Sequence, residues 1–462
     1  MKFLILLSFS LFINLLTFSI RANESVQSSI KRLTWNGIEV VFIEDNRFPT
    51  YDMLIYFADG ALSDGKHPGE TSHAFALSDS GTTKFTQKEI LDQMEFLGTE
   101  FYPEVTHEYT TLQLSGLAKD FESAVKQTCH ILRDSTYPTD VIKKELDKEK
   151  SGLLSLVSNP QGLSERIYRE VSLAGSPYAY PVNGKLQDLD LFNSESLRSK
   201  TNYFLDKVKK RIYLTGPKAL LNIEKVLIQD CKLKGSPDDF VRKVAYKKIS
   251  QTKPKIVFVP VPDANQVQVK IGRFLNRDEI EDRNLGTISS DFLGGGFTSR
   301  LMREVRVKRG LTYSIGSYIS SQKEYGRAGI STFTKNETIN KLIEVVEGTL
   351  ENIQKKGITE EELHRTKSGL TGSHPFKFEL NMAFLGQLIY LDHIGHSYDE
   401  LFQFNQKIEK YKTSEIKAKI QETFDLNKQT IFILGDKSLE KELVKLPKKY
   451  GKMTLLDYKK FI

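Results

Sequence analysis

The sequence predicts an α+β fold made of two homologous halves. Three observations carry the prediction. Lys150-Ser151-Gly152-Leu153 recurs as Lys367-Ser368-Gly369-Leu370, 217 residues on, and Glu145-Leu146 recurs as Glu362-Leu363 at the same offset. Around both copies the order strand, helix, turn, charged helix repeats at nearly the same spacing. Each half also opens on a strand pattern, IEVVFIED in one and KIVFVPV in the other. In a chain of 462 residues each half holds about 200, long enough to bury its own core.

The elements follow from local chemistry. In the first half, Thr86 and Glu89 form a capping box ahead of a helix, and Gly98 follows that helix. TTLQLSGL alternates polar and apolar residues and predicts a strand. Asp120 is expected to cap the next helix, which carries Phe121, Ala124, Val125, Ile131 and Leu132. YPTD and a charged helix then lead into KSGL. In the second half GISTFT predicts a strand, and Asn336 is expected to cap a helix with Ile339, Leu342, Ile343, Val346, Leu350 and Ile353 on one face. Gly357 closes that helix, and another beginning near Thr359 leads again into KSGL.

These patterns divide the chain into an exported leader over 1–22, a first half over 25–231, a linker over 232–254 and a second half over 255–462. The linker holds KLKGSPDD and a lysine-rich stretch without a core pattern. In the leader, Lys2 precedes an apolar run from Phe3 to Ile20, the pattern of a secretory signal peptide. An exported, periplasmic protein is expected, soluble or held by an uncleaved N-terminal anchor. Cys129 and Cys231 have no metal-ligand spacing; two buried unbonded thiols are the preferred reading, and a single bond between them in an oxidising compartment is the alternative. Hydrophobic content of 39% and charged content of 27% describe a globular chain. The net charge of +7 is spread along helices, with no basic stripe interleaved with aromatics, so nucleic acid is not an expected partner.

The most informative stretch is REVRVKRGLTYS, Arg303 to Ser314, just after FLGGGFTSRLM. It reads as a helix ended by Gly310 and followed by a strand, LTYSIGSYIS. Arg306 lies in the last helical turn, and Tyr313 falls on the strand seven positions later. A guanidinium fork and a phenol on adjoining elements can grip a peptide carbonyl or an oxyanion. The alternative stays open that Arg306 is a solvated partner of the helix dipole and Tyr313 a core residue.

This string, with SPYAYPVNG and FLGGGFTSRL, resembles the insulinase/pitrilysin zinc metallopeptidases, which include mitochondrial processing peptidase. The resemblance runs from about Arg32 to about Gly435. It implies two halves closing as a clam shell, each a mainly antiparallel sheet covered by helices, with Arg306 and Tyr313 holding substrate backbone. Active relatives of this kind carry HxxEH a few residues before a Gly-Thr pair, here Gly81-Thr82, and a distant glutamate completes their zinc site. The correspondence places Ser72, Phe75 and Ala76 at the HxxEH positions and Leu156 at the distant one. None of these side chains is a useful zinc ligand. His67, Glu70 and His73 imitate a ligand set, but Pro68 and Gly69 interrupt the helix it would need. Asp392, His393 and His396 are a weaker imitation.

The expectation is therefore a metal-free, substrate-positioning subunit of an exported zinc endopeptidase. It would hold no cofactor itself, and a separate HxxEH chain would bring zinc to a peptide substrate. A non-enzymatic module for peptide binding or envelope assembly is the alternative.

Overall fold

The computed structural model describes residues 29–236, 248, 255–446 and 450–462. The leader over 1–22 and most of the expected linker lie outside the described residues.

The first half contributes β1 (Ile30–Trp35), β2 (Ile38–Glu44), β3 (Thr50–Phe57), α1 (Glu70–Ala76), α2 (Gln87–Phe96), β4 (Glu100–Val105), β5 (Thr110–Leu117), α3 (Phe121–Asp134), α4 (Thr139–Ser155), α5 (Pro160–Ser172), α6 (Ser194–Asp206), β6 (Lys210–Gly216) and α7 (Glu224–Gln229). The second contributes β7 (Lys255–Pro260), β8 (Val267–Asn276), α8 (Arg283–Gly294), β9 (Ile315–Ser321), β10 (Tyr325–Thr334), α9 (Ile339–Lys356), α10 (Glu360–Ser373), α11 (Asn381–Ile394), α12 (Asp399–Phe402), α13 (Phe404–Lys410), α14 (Thr413–Thr423), β11 (Thr430–Gly435) and β12 (Met453–Leu455).

Two six-stranded sheets result, ordered β1-β2-β6-β3-β5-β4 and β12-β7-β11-β8-β10-β9. Five strands correspond in order, β2-β6-β3-β5-β4 with β7-β11-β8-β10-β9, while the edge strands differ: β1 precedes β2 in the chain and β12 closes the second half. Both sheets are mixed. In the first, β2 and β6 run parallel and the remaining neighbours antiparallel. In the second, β7 runs parallel to both β11 and β12. KSGL sits near the end of α4 in one half and of α10 in the other, so the repeat marks equivalent helices.

One face of each sheet is covered by helices of its own half. On the first, Val40, Phe42, Met53, Ile55, Ile212 and Leu214 pack with Phe121, Val125, Leu132 and Phe204. On the second, Ile256, Phe258, Val269, Ile271 and Ile330 pack with Ile288, Phe292, Leu342 and Val346. The opposite faces are covered by helices exchanged between the halves. Leu163, Ile167 and Tyr168 of α5 lie on Val257, Val259, Phe432 and Leu434 of the second sheet. Phe384, Leu385 and Leu388 of α11 lie on Val41, Leu54, Tyr56 and Tyr213 of the first. Polar contacts lock the second exchange. Asp392 accepts from Tyr213 at 2.7 Å and pairs with Arg32 at 3.0 Å, while His393 lies between Tyr56 at 2.9 Å and Glu108 at 3.1 Å.

The capping box at Thr86 and Glu89 forms, as does one at Thr359 and Glu362, and Gly357 closes α9 at φ 77°. Two cap expectations are corrected. Asp120 makes no side-chain cap bond, and α9 begins at Ile339 behind Thr338 rather than behind Asn336. Both helices are entered through a 3-10 turn, Ala118–Asp120 and Asn336–Thr338, which holds the expected capping residue out of position. The cysteine expectation is also corrected. Cys129 and Cys231 form a disulfide, with Cα atoms 4.4 Å apart across a separation of 102 residues. Both face the first-half core, where α3 meets the chain beyond α7, and that tertiary proximity has no local signal.

Candidate functional site

The FLGGGFTSRL stretch folds as the end of α8, a glycine turn and a new helical start. A Cβ on Gly294 would overlap the backbone nitrogen of Ser317 on β9, so glycine lets α8 lie against that strand. Beyond the turn, Leu301, Met302 and Val305 are buried. Arg300 donates to both carboxylate oxygens of Glu362, at 2.5 Å and 2.6 Å, and so ties this segment to the first turn of α10. Burial alone would raise the Glu362 pKa, but the Arg300 fork and the Thr359 cap outweigh it and hold the group at about 2.

Arg306 lies on a π-helical turn, Met302–Val307. Such wide turns are rare and occur often at functional sites. Gly310 then takes φ 60°, and its N–H donates to the Arg306 carbonyl at 2.8 Å, as the expected C-cap requires. The strand expectation for Tyr313 is corrected. β9 begins at Ile315, because the Thr312 hydroxyl binds both the carbonyl and the N–H of Ser314 and turns the chain there. Tyr313 is therefore a loop residue, 74% exposed, and not part of the core.

The structure brings Arg306 and Tyr313 together. The guanidinium carbon stands 4.7 Å from the Tyr313 ring centroid and 5.2 Å from that of Phe297, which is itself 74% exposed. Both rings lie within cation–π range of the guanidinium. Neither the Arg306 N–H groups nor the Tyr313 hydroxyl has a hydrogen-bond partner among the described residues. The arrangement presents a planar donor fork and a phenolic donor to solvent, able to take a carbonyl, carboxylate or oxyanion. Phe297 was missed by sequence reasoning. Its only signal is an aromatic following three glycines.

The positions matched to HxxEH form no polar cluster. Phe75 is fully buried against Phe57 and Phe204, with ring centroids 5.8 Å and 5.2 Å away. Ser72 is half-buried, Ala76 is exposed, and Leu156 packs with apolar neighbours beyond the end of α4. The imitation ligand sets are already engaged. Glu70 pairs with Lys200 at 3.2 Å, and buried His73 meets the carbonyl of Asn183 at 3.1 Å. Burial also lowers the His73 pKa. His396 lies past the end of α11 and meets Glu400 at 2.6 Å. Among the described residues no cluster of three or more His, Cys, Asp or Glu side chains is placed to hold a metal ion.

Fold and site together define a duplicated, peptidase-like α+β chain. The family profile described as "Peptidase M16 inactive domain" matches residues 231–370. Over those residues the chain is similar to the inactive domain of the M16 peptidases. Among curated relatives, it is 23% identical to "Non-peptidase homolog YmxG" of Helicobacter pylori, over 95% of this chain and 100% of that protein. It is 24% identical to "Uncharacterized zinc protease YmxG" of Bacillus subtilis, over 74% of this chain and 83% of that one. Among solved structures, a peptidase M16 inactive domain from Pseudomonas fluorescens superposes with a TM-score of 0.78 at 22% identity, covering 88% of this chain and 98% of that one. A protease from Helicobacter pylori superposes at 0.76 with 15% identity, covering 88% and 99%.

Proposed function

We propose that this protein is the metal-free, substrate-positioning subunit of an exported zinc endopeptidase acting on peptides or unfolded segments. One observation carries the reading: half-buried Arg306 and exposed Tyr313 stand together as a pair whose side-chain donors have no acceptor among the described residues. A solvated arginine on a helix end needs no pair of aromatic neighbours. In this reading a homologous HxxEH chain brings zinc and its bound water. Arg306 holds a substrate carbonyl near the cleavage point, and Tyr313 donates to the oxyanion. The Cys129–Cys231 disulfide supports export, because such bonds persist in oxidising compartments.

The test is turnover of a peptide by the mixed complex. Tyr313→Phe removes one hydroxyl, and loss of one oxyanion donor costs roughly 100- to 1000-fold in rate. Arg306→Ala should weaken substrate capture. Full activity in Tyr313→Phe would refute the oxyanion role and leave a peptide-binding module as the better account. That second reading is favoured by the non-peptidase name of the Helicobacter pylori relative.

A further inference from the structure

The inner face of the second sheet carries an unbalanced group of cations. In the register of β8 and β10, Gly272 faces Gly329, Lys270 faces Ser331 and Phe274 faces Arg327, all on one side. That side receives α5 from the first half. A Cβ on Gly272 would overlap the Tyr168 hydroxyl, so the glycine lets α5 seat closely and brings Glu165 and Arg169 over the strands. Glu165 is then shared by Lys270 at 2.9 Å and Arg327 at 3.5 Å.

One carboxylate does not satisfy three cations. The Nη1 group of Arg327 is buried and has no hydrogen-bond partner among the described residues. Arg169 makes no side-chain hydrogen bond or ion pair among the described residues. Buried donors without acceptors are costly and uncommon. Arg169 and Glu165 also line a cleft of about 520 Å³, whose walls include Leu153, Leu156, Pro181 and Val182. Glu149, on the same wall, is held by Asn183 at 2.8 Å.

We propose that Arg169 and Arg327 form a carboxylate-binding subsite at the junction of the two halves, taking the C-terminal carboxylate or an acidic side chain of a bound peptide. The missing acceptor is an anion, and a guanidinium fork matches a carboxylate. The apolar walls suit the flanking side chains of a peptide better than a free inorganic anion. The inference rests on the peptide-holding reading above and adds a substrate class to it: peptides with a carboxylate in reach of the junction.

The test measures binding of fluorescent decapeptides to the full mature chain by anisotropy. Three peptides are compared: a neutral sequence with a free C-terminus, its amide, and the amide with one internal Glu. We expect one or both carboxylate peptides to bind roughly 10-fold tighter than the neutral amide. The terminal and internal arms tell the two sources apart. Arg169→Gln, a partly exposed position, should erase the preference, while Arg327→Lys should keep part of it, with thermal unfolding as the folding control. Equal binding of all three peptides overturns this subsite and leaves the peptide-holding reading standing. Binding of none overturns both. Displacement by inorganic phosphate as effective as by the free-carboxylate peptide also overturns the assignment to peptide carboxylates.

Discussion

Arg306 owes its orientation to two exposed rings, so its function should be separable from its stability. Phe297→Ala removes one ring of the stack without opening a core cavity, because Phe297 is mostly exposed. Peptide capture should fall while unfolding free energy stays within about 0.5 kcal/mol of wild type, as measured by binding and by denaturant titration. Phe75 is the opposite case. Restoring a glutamate at the position matched to the catalytic one, Phe75→Glu, would place a carboxyl between Phe57 and Phe204. The expected result is a loss of stability of about 3 kcal/mol or more, with no gain of zinc, read by chemical unfolding and metal analysis.

At the level of elements, the disulfide and a buried histidine give measurable consequences. The Cys129–Cys231 bond ties α3 to the chain beyond α7 and closes a loop of 102 residues. By the chain-entropy account, replacing both cysteines with serine should cost up to about 4.7 kcal/mol, seen as a lower denaturation midpoint that reducing agent no longer changes. His374 follows α10, stacks on Phe404 with centroids 4.3 Å apart and meets the Leu401 carbonyl at 2.7 Å. Burial pushes its pKa down to about 4 from an ordinary value of 6.5. The unfolded chain binds that proton first as pH falls. Stability is therefore fully present above about pH 6.5 and is lost progressively towards pH 4. His73 and His107, also lowered chiefly by burial, act in the same direction. Thermal midpoints should fall across this window, and His374→Gln should flatten part of the slope.

For the molecule as a whole, the exchanged helices decide what is cooperative. α5 covers the second sheet and α11 covers the first, so neither half buries both sheet faces alone. The halves, expressed as separate chains divided between Ser236 and Lys255, should expose these faces and associate on mixing. Size-exclusion chromatography and hydrogen exchange would read this. Two stable, non-associating halves would contradict the packing described here.

Much of the fold was legible because it rests on short-range chemistry. The capping boxes at Thr86 and Thr359 and the glycine stops at Gly310 and Gly357 are local signals, and the 217-residue offset marks equivalent helices of the two halves. The same chemistry made Ser72, Phe75, Ala76 and Leu156 readable as poor ligands, since no fold turns those side chains into zinc donors. What spacing alone left open was Tyr313, which fits a core strand equally well until the Thr312 turn and the Phe297 ring are seen around it. The disulfide, the helix exchange and the unpaired arginines were likewise decided only by tertiary structure. Each depends on residues far apart in the chain, as with the 102 positions between Cys129 and Cys231. Sequence determined which elements this protein builds and which chemistry its own side chains lack, because caps, periodicity and ligand type act within a few residues. Tertiary structure alone decided which faces meet and which charges stay unpaired, because packing and Coulomb forces act between neighbours in space, whatever their distance along the chain.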